Sequence, residues 1–127
     1  MSSLSAFQGS AMVGTYAATK AFDIVLGETL WTELAPKGVD VSVCVAGATL
    51  TPNFKRQTPV HKRRQSYPME PDAVVKEALA GLGRRPTVIA GAMNRAAHVV
   101  MSRLLPRRMA VRFISDRTRD MYQGTVE

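Results

Sequence analysis

Residues 16–51 read YAATKAFDIVLGETLWTELAPKGVDVSVCVAGATLT, and a change of period inside this stretch decides the fold class. From Tyr16 onward, Ala17, Ala18, Ala21, Phe22, Val25, Leu26, Leu30 and Leu34 recur at three- and four-residue steps. That is the spacing of one helical face. It predicts a helix of about 19 residues, stopped by Pro36 and Gly38. Ile24 and Trp31 widen the apolar stripe, so the helix packs against a second layer or a partner subunit. The next run, Val39 to Val45, reads VDVSVCV. Its β-branched residues predict a short, mostly buried strand, with Cys44 as a small apolar residue inside it. Residues 46–52 then read as a loop.

Outward from this stretch the punctuation stays regular. Upstream, residues 2–15 are rich in Ser, Gly, Ala and Thr and read as the end of a strand and a loop. Downstream, residues 53–70 carry Lys55, Arg56, His61, Lys62, Arg63 and Arg64 with Pro59 and Pro68, an exposed, mobile segment. A helix opens at Glu70-Pro71-Asp72 and runs to about Leu82, with Gly81 and Gly83 at its end. Thr87 to Ala90 is a second strand closed by Gly91, and residues 93–105 and 107–120 are helical, separated by Pro106. Helix, strand, helix, strand, helix, helix is the α/β class with parallel strands. Two strands of a parallel sheet do not cover both of their faces alone, so the pattern reads as the second half of a larger sheet.

Composition excludes several classes. The 127 residues are 46% hydrophobic and 21% charged, ordinary for a globular chain and unlike a disordered one. One cysteine rules out an internal disulfide framework and a multi-cysteine zinc site. A reducing, cytoplasmic setting is the default. No window approaches the ~18 apolar residues of a membrane span, and no basic stretch leads into an apolar core at the N-terminus, so no secretory signal is expected. The net charge of +7 is uneven: residues 1–54 sum to −2 and residues 55–127 to +9. Such a basic half suits an acidic ligand or an anionic surface, and it also suits a solvated arginine-rich face. Aromatics are only 6% of the chain and are not interleaved with the bases, so nucleic acid is not an expected partner.

Chemistry concentrates at Tyr16 and Lys20. Positions i and i+4 share a helical face, and a cation beside a phenol favours the phenolate, bringing an ordinary pKa of ~10 toward neutrality. A tyrosine so placed serves general acid–base catalysis; the alternative is a surface pair at a helix start. His61 and His98 have no carboxylate at ligand spacing, so no metal site is expected. Met93, Met101 and Met109 recur every eight residues and read as core, as does Trp31 at the helix interface. Ser2 and Ser5 read as turn residues.

Ser3 stands thirteen positions before Tyr16, and Ala46-Gly47-Ala48-Thr49-Leu50-Thr51 follows the strand. With these residues the chain resembles the short-chain dehydrogenase/reductase family, whose pattern is a Ser, a Tyr-x-x-x-Lys helix and a strand ending in Pro-Gly-x-x-x-Thr. The resemblance is specific over residues 1–54 and looser to about 105. It implies the C-terminal part of a Rossmann-like doubly wound parallel sheet, with the N-terminal nucleotide-binding half missing: residues 1–54 as catalytic segment, 53–70 as variable basic substrate lid, 71–127 as the C-terminal helix-strand-helix part. It implies Ser3, Tyr16 and Lys20 as catalytic residues. Tyr16 would exchange the proton, Lys20 would lower its pKa and bind the nicotinamide ribose, and Ser3 would orient the substrate oxygen. Tyr16, Lys20, Gly47 and Thr51 would contact the cofactor, NAD or NADP. The substrate would be a carbonyl compound or alcohol, and the basic C-terminal pattern resembles members with lipophilic substrates. The sequence departs from the family at Ala46, where Pro is usual, and in having no G-x-x-x-G-x-G run.

Three functions follow as expectations. The first is an NAD(P)-dependent oxidoreductase, inactive as this chain alone because the phosphate-binding turn is missing. The second is a non-catalytic interaction module that forms a homo-oligomer through the long helix. The third is a peripheral membrane protein, in which residues 93–114 mix apolar side chains with arginines.

Overall fold

The computed structural model describes residues 1–63 and 66–122, and of Gln57 and Arg63 only the backbone. Three strands form one parallel sheet in the order β1-β2-β3: Ser2–Ser3, Val43–Ala46 and Thr87–Ile89. Ser2 pairs with Val45, and Val43 with Thr87. The upstream strand end is thus a true member of the sheet, and Ser2 is a buried strand residue rather than a turn residue. Two residues are too few to show a period, which is why the pattern alone counted two strands.

Two helices make the crossovers. Helix α1, Gly14–Leu34, joins β1 to β2, and α4, Pro71–Gly81, joins β2 to β3. The alternation of side chains along β2 separates two small cores. Val43 and Val45 pack with Ile24 of α1 on one face. Cys44 and Ala46 lie with Val74 of α4 on the other. Both faces are therefore covered, as parallel sheets require. Glycine lets each helix approach. A Cβ at Gly27 would meet Val43 Cγ2 at 2.1 Å, and one at Gly81 would meet Val88 Cγ2 at 2.2 Å. Burial pushes the Cys44 thiol above its ordinary pKa.

Helix α1 ends as its sequence dictates. A tight turn at Ala35–Lys37 contains Pro36, and Gly38 takes the left-handed conformation at φ 73°. The face of α1 away from the sheet is open: Phe22 and Val25 are exposed and Trp31 is half-buried.

The basic segment after β2 is more ordered than a loop. It folds into two short helices, α2 at Pro52–Gln57 and α3 at Val60–Arg63. Thr51 caps α2, its hydroxyl accepting from the Phe54 N–H at 3.2 Å. Arg64 of that segment lies outside the described residues, as do residues 123–127. Helix α5, Ala92–Val99, runs into a wide turn over Val100–Leu104 in which the Leu105 N–H reaches the Val100 carbonyl at 2.9 Å. After Pro106, α6 spans Arg107–Tyr122. The wide turn and Pro106 reset the helical phase, so the eight-residue methionine repeat does not mark one buried face. Met93 and Met109 are exposed.

Helix α6 folds back over the loop before α1. The Ser10 and Thr118 hydroxyls share a hydrogen bond of 2.7 Å, the Ala11 N–H donates to Ser115 Oγ at 3.1 Å, and Arg107 Nη1 donates to the Phe7 carbonyl at 2.6 Å. The Lys62 ammonium also donates to the Asp120 carbonyl, tying α3 to α6.

Candidate active site

The ends of β1 and β2 lie side by side because Ser3 pairs with Ala46. Ser3 closes β1, Gly47 follows β2, and Tyr16 stands in the first turn of α1. These three line a single cleft of about 840 Å³, a size typical of small-molecule sites. Its position beyond the carboxyl ends of the strands is where open α/β sheets bind ligands. Phe54 of α2, Met93 and Asn94 of α5, and Phe113, Ile114 and Arg117 of α6 complete the walls. The lining is mostly apolar, and among the described residues Arg117 is its only charged member.

Each hydroxyl has a distinct setting. Tyr16 is 48% exposed. Ser3 begins a short helical turn over Leu4–Phe7, and its Oγ accepts from the Ser5 N–H at 3.3 Å and lies 3.4 Å from Ser5 Oγ. Bonds of that length are weak, so the Ser3 hydroxyl can turn to a ligand. The neighbouring Ser2 is committed instead, donating to the Lys20 carbonyl at 2.7 Å. That bond anchors the first turns of α1 to the strand.

Lys20 lies in an adjoining recess of about 240 Å³, lined also by Ser3, Tyr16, Ala46 and Gly47. Its ammonium donates to Asp23 Oδ2 at 2.8 Å and to the Met1 carbonyl at 3.0 Å, and sits 5.9 Å from the centre of the Tyr16 ring. The Asp23 bond is the main reason the Lys20 pKa stands above its ordinary value, against the opposing effect of burial. Asp23 is held below its own by the same bond. An ammonium has three donors, so one remains for a ligand. The Asp23 contact, which holds the Lys20 ammonium, is one that the sequence reading missed; its signal was the i, i+3 spacing from Lys20.

Gly47 and Thr51, both expected at the cofactor, part company. Gly47 lines the cleft, and it must be small: a Cβ there would lie 2.7 Å from Asn94 Oδ1. Asn94 is itself fixed by donating to the Ala90 carbonyl at 2.6 Å. It too was missed, although it follows the β3 strand at the carboxyl edge of the sheet. Thr51 is not among the cleft-lining residues; its hydroxyl serves the α2 cap. No cluster of three or more His, Cys, Asp or Glu side chains able to hold a metal occurs among the described residues. His98 packs on Phe7 with ring centroids 4.0 Å apart and planes tilted by 44°, and burial, with Arg103 nearby, lowers its pKa.

Comparison with known proteins bears on the fold and the family. The family model of the short chain dehydrogenases matches residues 1–61. A 7beta-hydroxysteroid dehydrogenase of Clostridium sardiniense is 33% identical over 93 residues, covering 73% of this chain and 36% of the relative. One of Collinsella aerofaciens is 34% identical over 98 residues, covering 75% of this chain and 37% of the relative. The chain thus spans little more than a third of the length of these curated relatives. A solved structure from work on 7beta-hydroxysteroid dehydrogenase stereoselectivity superposes with a TM-score of 0.80 at 29% identity, over 89% of this chain and 45% of that one. The α/β architecture is accordingly part of a Rossmann-like fold. On the family match over residues 1–61, the curated relatives and the superposition together, the chain belongs to the short-chain dehydrogenase/reductase family, of whose fold it carries a part.

Proposed function

We propose that this chain carries the proton-transfer side of an NAD(P)-dependent oxidoreductase that interconverts a carbonyl and a secondary alcohol. The observation that supports it best is the convergence of Ser3, Tyr16 and Gly47 on one cleft wall with Lys20 in the recess behind. In reduction, the Tyr16 hydroxyl gives its proton to the carbonyl oxygen; in oxidation it takes the alcohol proton. The Ser3 hydroxyl hydrogen-bonds that oxygen and orients it. The Lys20 ammonium, 5.9 Å from the centre of the Tyr16 ring, places a positive charge beside the reacting phenol.

The residues present suit only one end of a dinucleotide. The remaining Lys20 donor and the small Gly47 fit a ribose hydroxyl and a flat ring. Nothing in the 127 residues supplies the glycine-rich turn for the pyrophosphate. When bound, NAD(P) supplies hydride exchange with the carbonyl carbon. This chain alone is therefore proposed to be inactive, and a cytoplasmic location suits the reading. A lipophilic alcohol of the hydroxysteroid kind is the proposed substrate, supported by the apolar cleft and by the names of the relatives.

The test is to read the DNA upstream of Met1 in frame for a glycine-rich turn. The encoded upstream segment is then produced with this chain, and hydroxysteroid oxidation is assayed with NAD and NADP. Turnover by the combined protein that is lost in Tyr16→Phe supports the proposal. Equal turnover in both, or turnover by the 127-residue chain alone, overturns it.

A second reading has its own observation. Phe22, Val25 and Leu26 on α1 and Val75 and Leu79 on α4 are exposed, so these helices offer apolar faces to a second copy. A sedimenting mass that doubles with concentration, and falls back in Phe22→Ser/Val25→Ser, supports a homo-oligomer through the long helix.

A further inference from the structure

Between Ala78 and Ser115 the chain contains seven arginines and no Asp or Glu. Four of the seven, Arg103, Arg107, Arg108 and Arg112, cluster at the elbow between α5 and α6. The same elbow exposes Leu104 at 71%, Met109 at 55% and Phe113 at 56%. Single exposed apolar residues are ordinary, but these are ordered. On α6, Arg108 and Arg112 are four apart, and so are Met109 and Phe113, giving two neighbouring stripes, one cationic and one apolar. The opposite face of α6 is the one that packs, through buried Ala110 and the hydroxyls of Ser115 and Thr118. The first acid on α6 is Asp116, which pairs with Arg119 at 3.0 Å. The patch is thus confined to the elbow and the first two turns.

We propose that this elbow is a docking surface for an anionic lipid bilayer, with Leu104, Met109 and Phe113 entering the headgroup layer and Arg108 and Arg112 meeting lipid phosphates. Apolar side chains flanked by cations are the composition of interfacial helices, and basic residues at such a surface add attraction to acidic lipids. Arginine stems lie along the apolar layer while their guanidinium groups stay at the phosphates. A nucleic acid would satisfy the arginines alone. It would leave Leu104 and Met109 in water, and the patch has no row of aromatics for bases to stack on. Phe113 also lines the cleft, so the docked face borders the cleft and a lipophilic ligand could enter it from the bilayer. The proposal stands apart from the catalytic reading and is tested without turnover.

The full chain is sedimented with phosphatidylcholine vesicles and with mixed phosphatidylcholine–phosphatidylglycerol vesicles, at about 0.1 M salt, where the Debye length is about 10 Å. Binding to the mixed vesicles and not to the neutral ones is expected. Arg108→Gln/Arg112→Gln should weaken it about 30-fold. Met109→Ser/Phe113→Ser should weaken it at least as much. Arg84→Gln/Arg85→Gln removes the same charge elsewhere on the surface and should leave binding within about twofold, since the attraction to the surface is local. All three pairs change exposed side chains, and circular dichroism confirms that each variant folds. Absence of binding to mixed vesicles overturns the proposal. So does equal weakening by both arginine pairs, which would mean only net charge. Displacement from the vesicles by duplex DNA that binds the Met109→Ser/Phe113→Ser variant unchanged would assign the patch to nucleic acid. A concentration-dependent dimer lost in that same variant would assign it to a second copy.

Discussion

The two sides of the cleft are built on different principles. One side, with Ser3, Tyr16 and Gly47, is fixed to the sheet: strand ends in register, a helix joined to the strand next door, and Val45 fully buried beneath. The other side is α6, held to residues 7–11 by three hydrogen bonds and contributing only Ala110 to the buried set. Charge divides the same way, −2 over residues 1–54 and +9 over residues 55–127. The difference teaches where precision resides. Proton transfer needs fixed geometry, which packing supplies. A wall that selects ligands or meets a surface can be held by a few polar contacts.

The largest effect expected on the sheet side is catalytic. Tyr16→Phe in the combined protein should lower kcat about 1,000-fold, the scale of a lost general acid, with little change in Tm. Steady-state kinetics beside thermal unfolding check it. A parallel collapse of Tm would make Tyr16 a structural residue instead.

Stability should divide between the two sides. Gly27→Val places carbon against Val43, where even a Cβ has no room, and should cost about 3 kcal/mol by forcing α1 off the sheet. On the α6 side, Ser115→Ala removes the bond from the Ala11 N–H and should cost about 1 kcal/mol, and Thr118→Val removes the bonds to Ser10 and to the Ile114 carbonyl within its own helix and should cost about 1–2 kcal/mol. Urea unfolding orders the three variants. If the α6 pair cost as much as Gly27→Val, the two walls are equally built in and the contrast fails.

Thr51→Ala sharpens the boundary. Losing the α2 cap should cost about 1 kcal/mol. A drop in NAD(P) affinity for the combined protein, well beyond that of the cap, would support the cofactor role that the family resemblance implied for Thr51. The smallest effect is the pH response of His98, packed on Phe7 between the two sides. Its folded pKa lies below the ordinary 6.5, so the folded state binds fewer protons than the unfolded one. Stability is then complete above about 6.5 and declines as pH falls below it. Thermal unfolding from pH 7.5 to 5 should show that slope, and His98→Phe should flatten it.

Some of this was legible in the residues and some was not. Tyr16 and Lys20 could be paired because four residues along a helix is a fixed geometry, and Ser3 and Gly47 because each adjoins a strand end. Asp23 was also within reach by spacing, yet nothing in the spacing alone says that it holds the ammonium. Asn94 gave no local sign: its relevance comes from lying against Gly47, forty-seven positions earlier. Thr51 carries a structural duty that its place in the motif did not announce: its hydroxyl accepts the cap bond of α2, which leaves its O–H to donate. The basic segment after it was read as a loop because helices of four and six residues carry too little period to be seen.

By itself the sequence determined the α/β alternation, the long helix with its Tyr-Lys pair, the two longer strands, and the uneven charge. These depend on neighbours within a turn or a pleat, where chain geometry leaves few choices. Only the tertiary structure decided that Ser2 and Ser3 complete a third strand, that Gly47 sits against Asn94, and that α6 closes the cleft by bonding residues more than 100 positions away. Such contacts arise only when the loop-closure entropy of bringing distant segments together is offset by packing and hydrogen bonding, a balance that belongs to the whole fold.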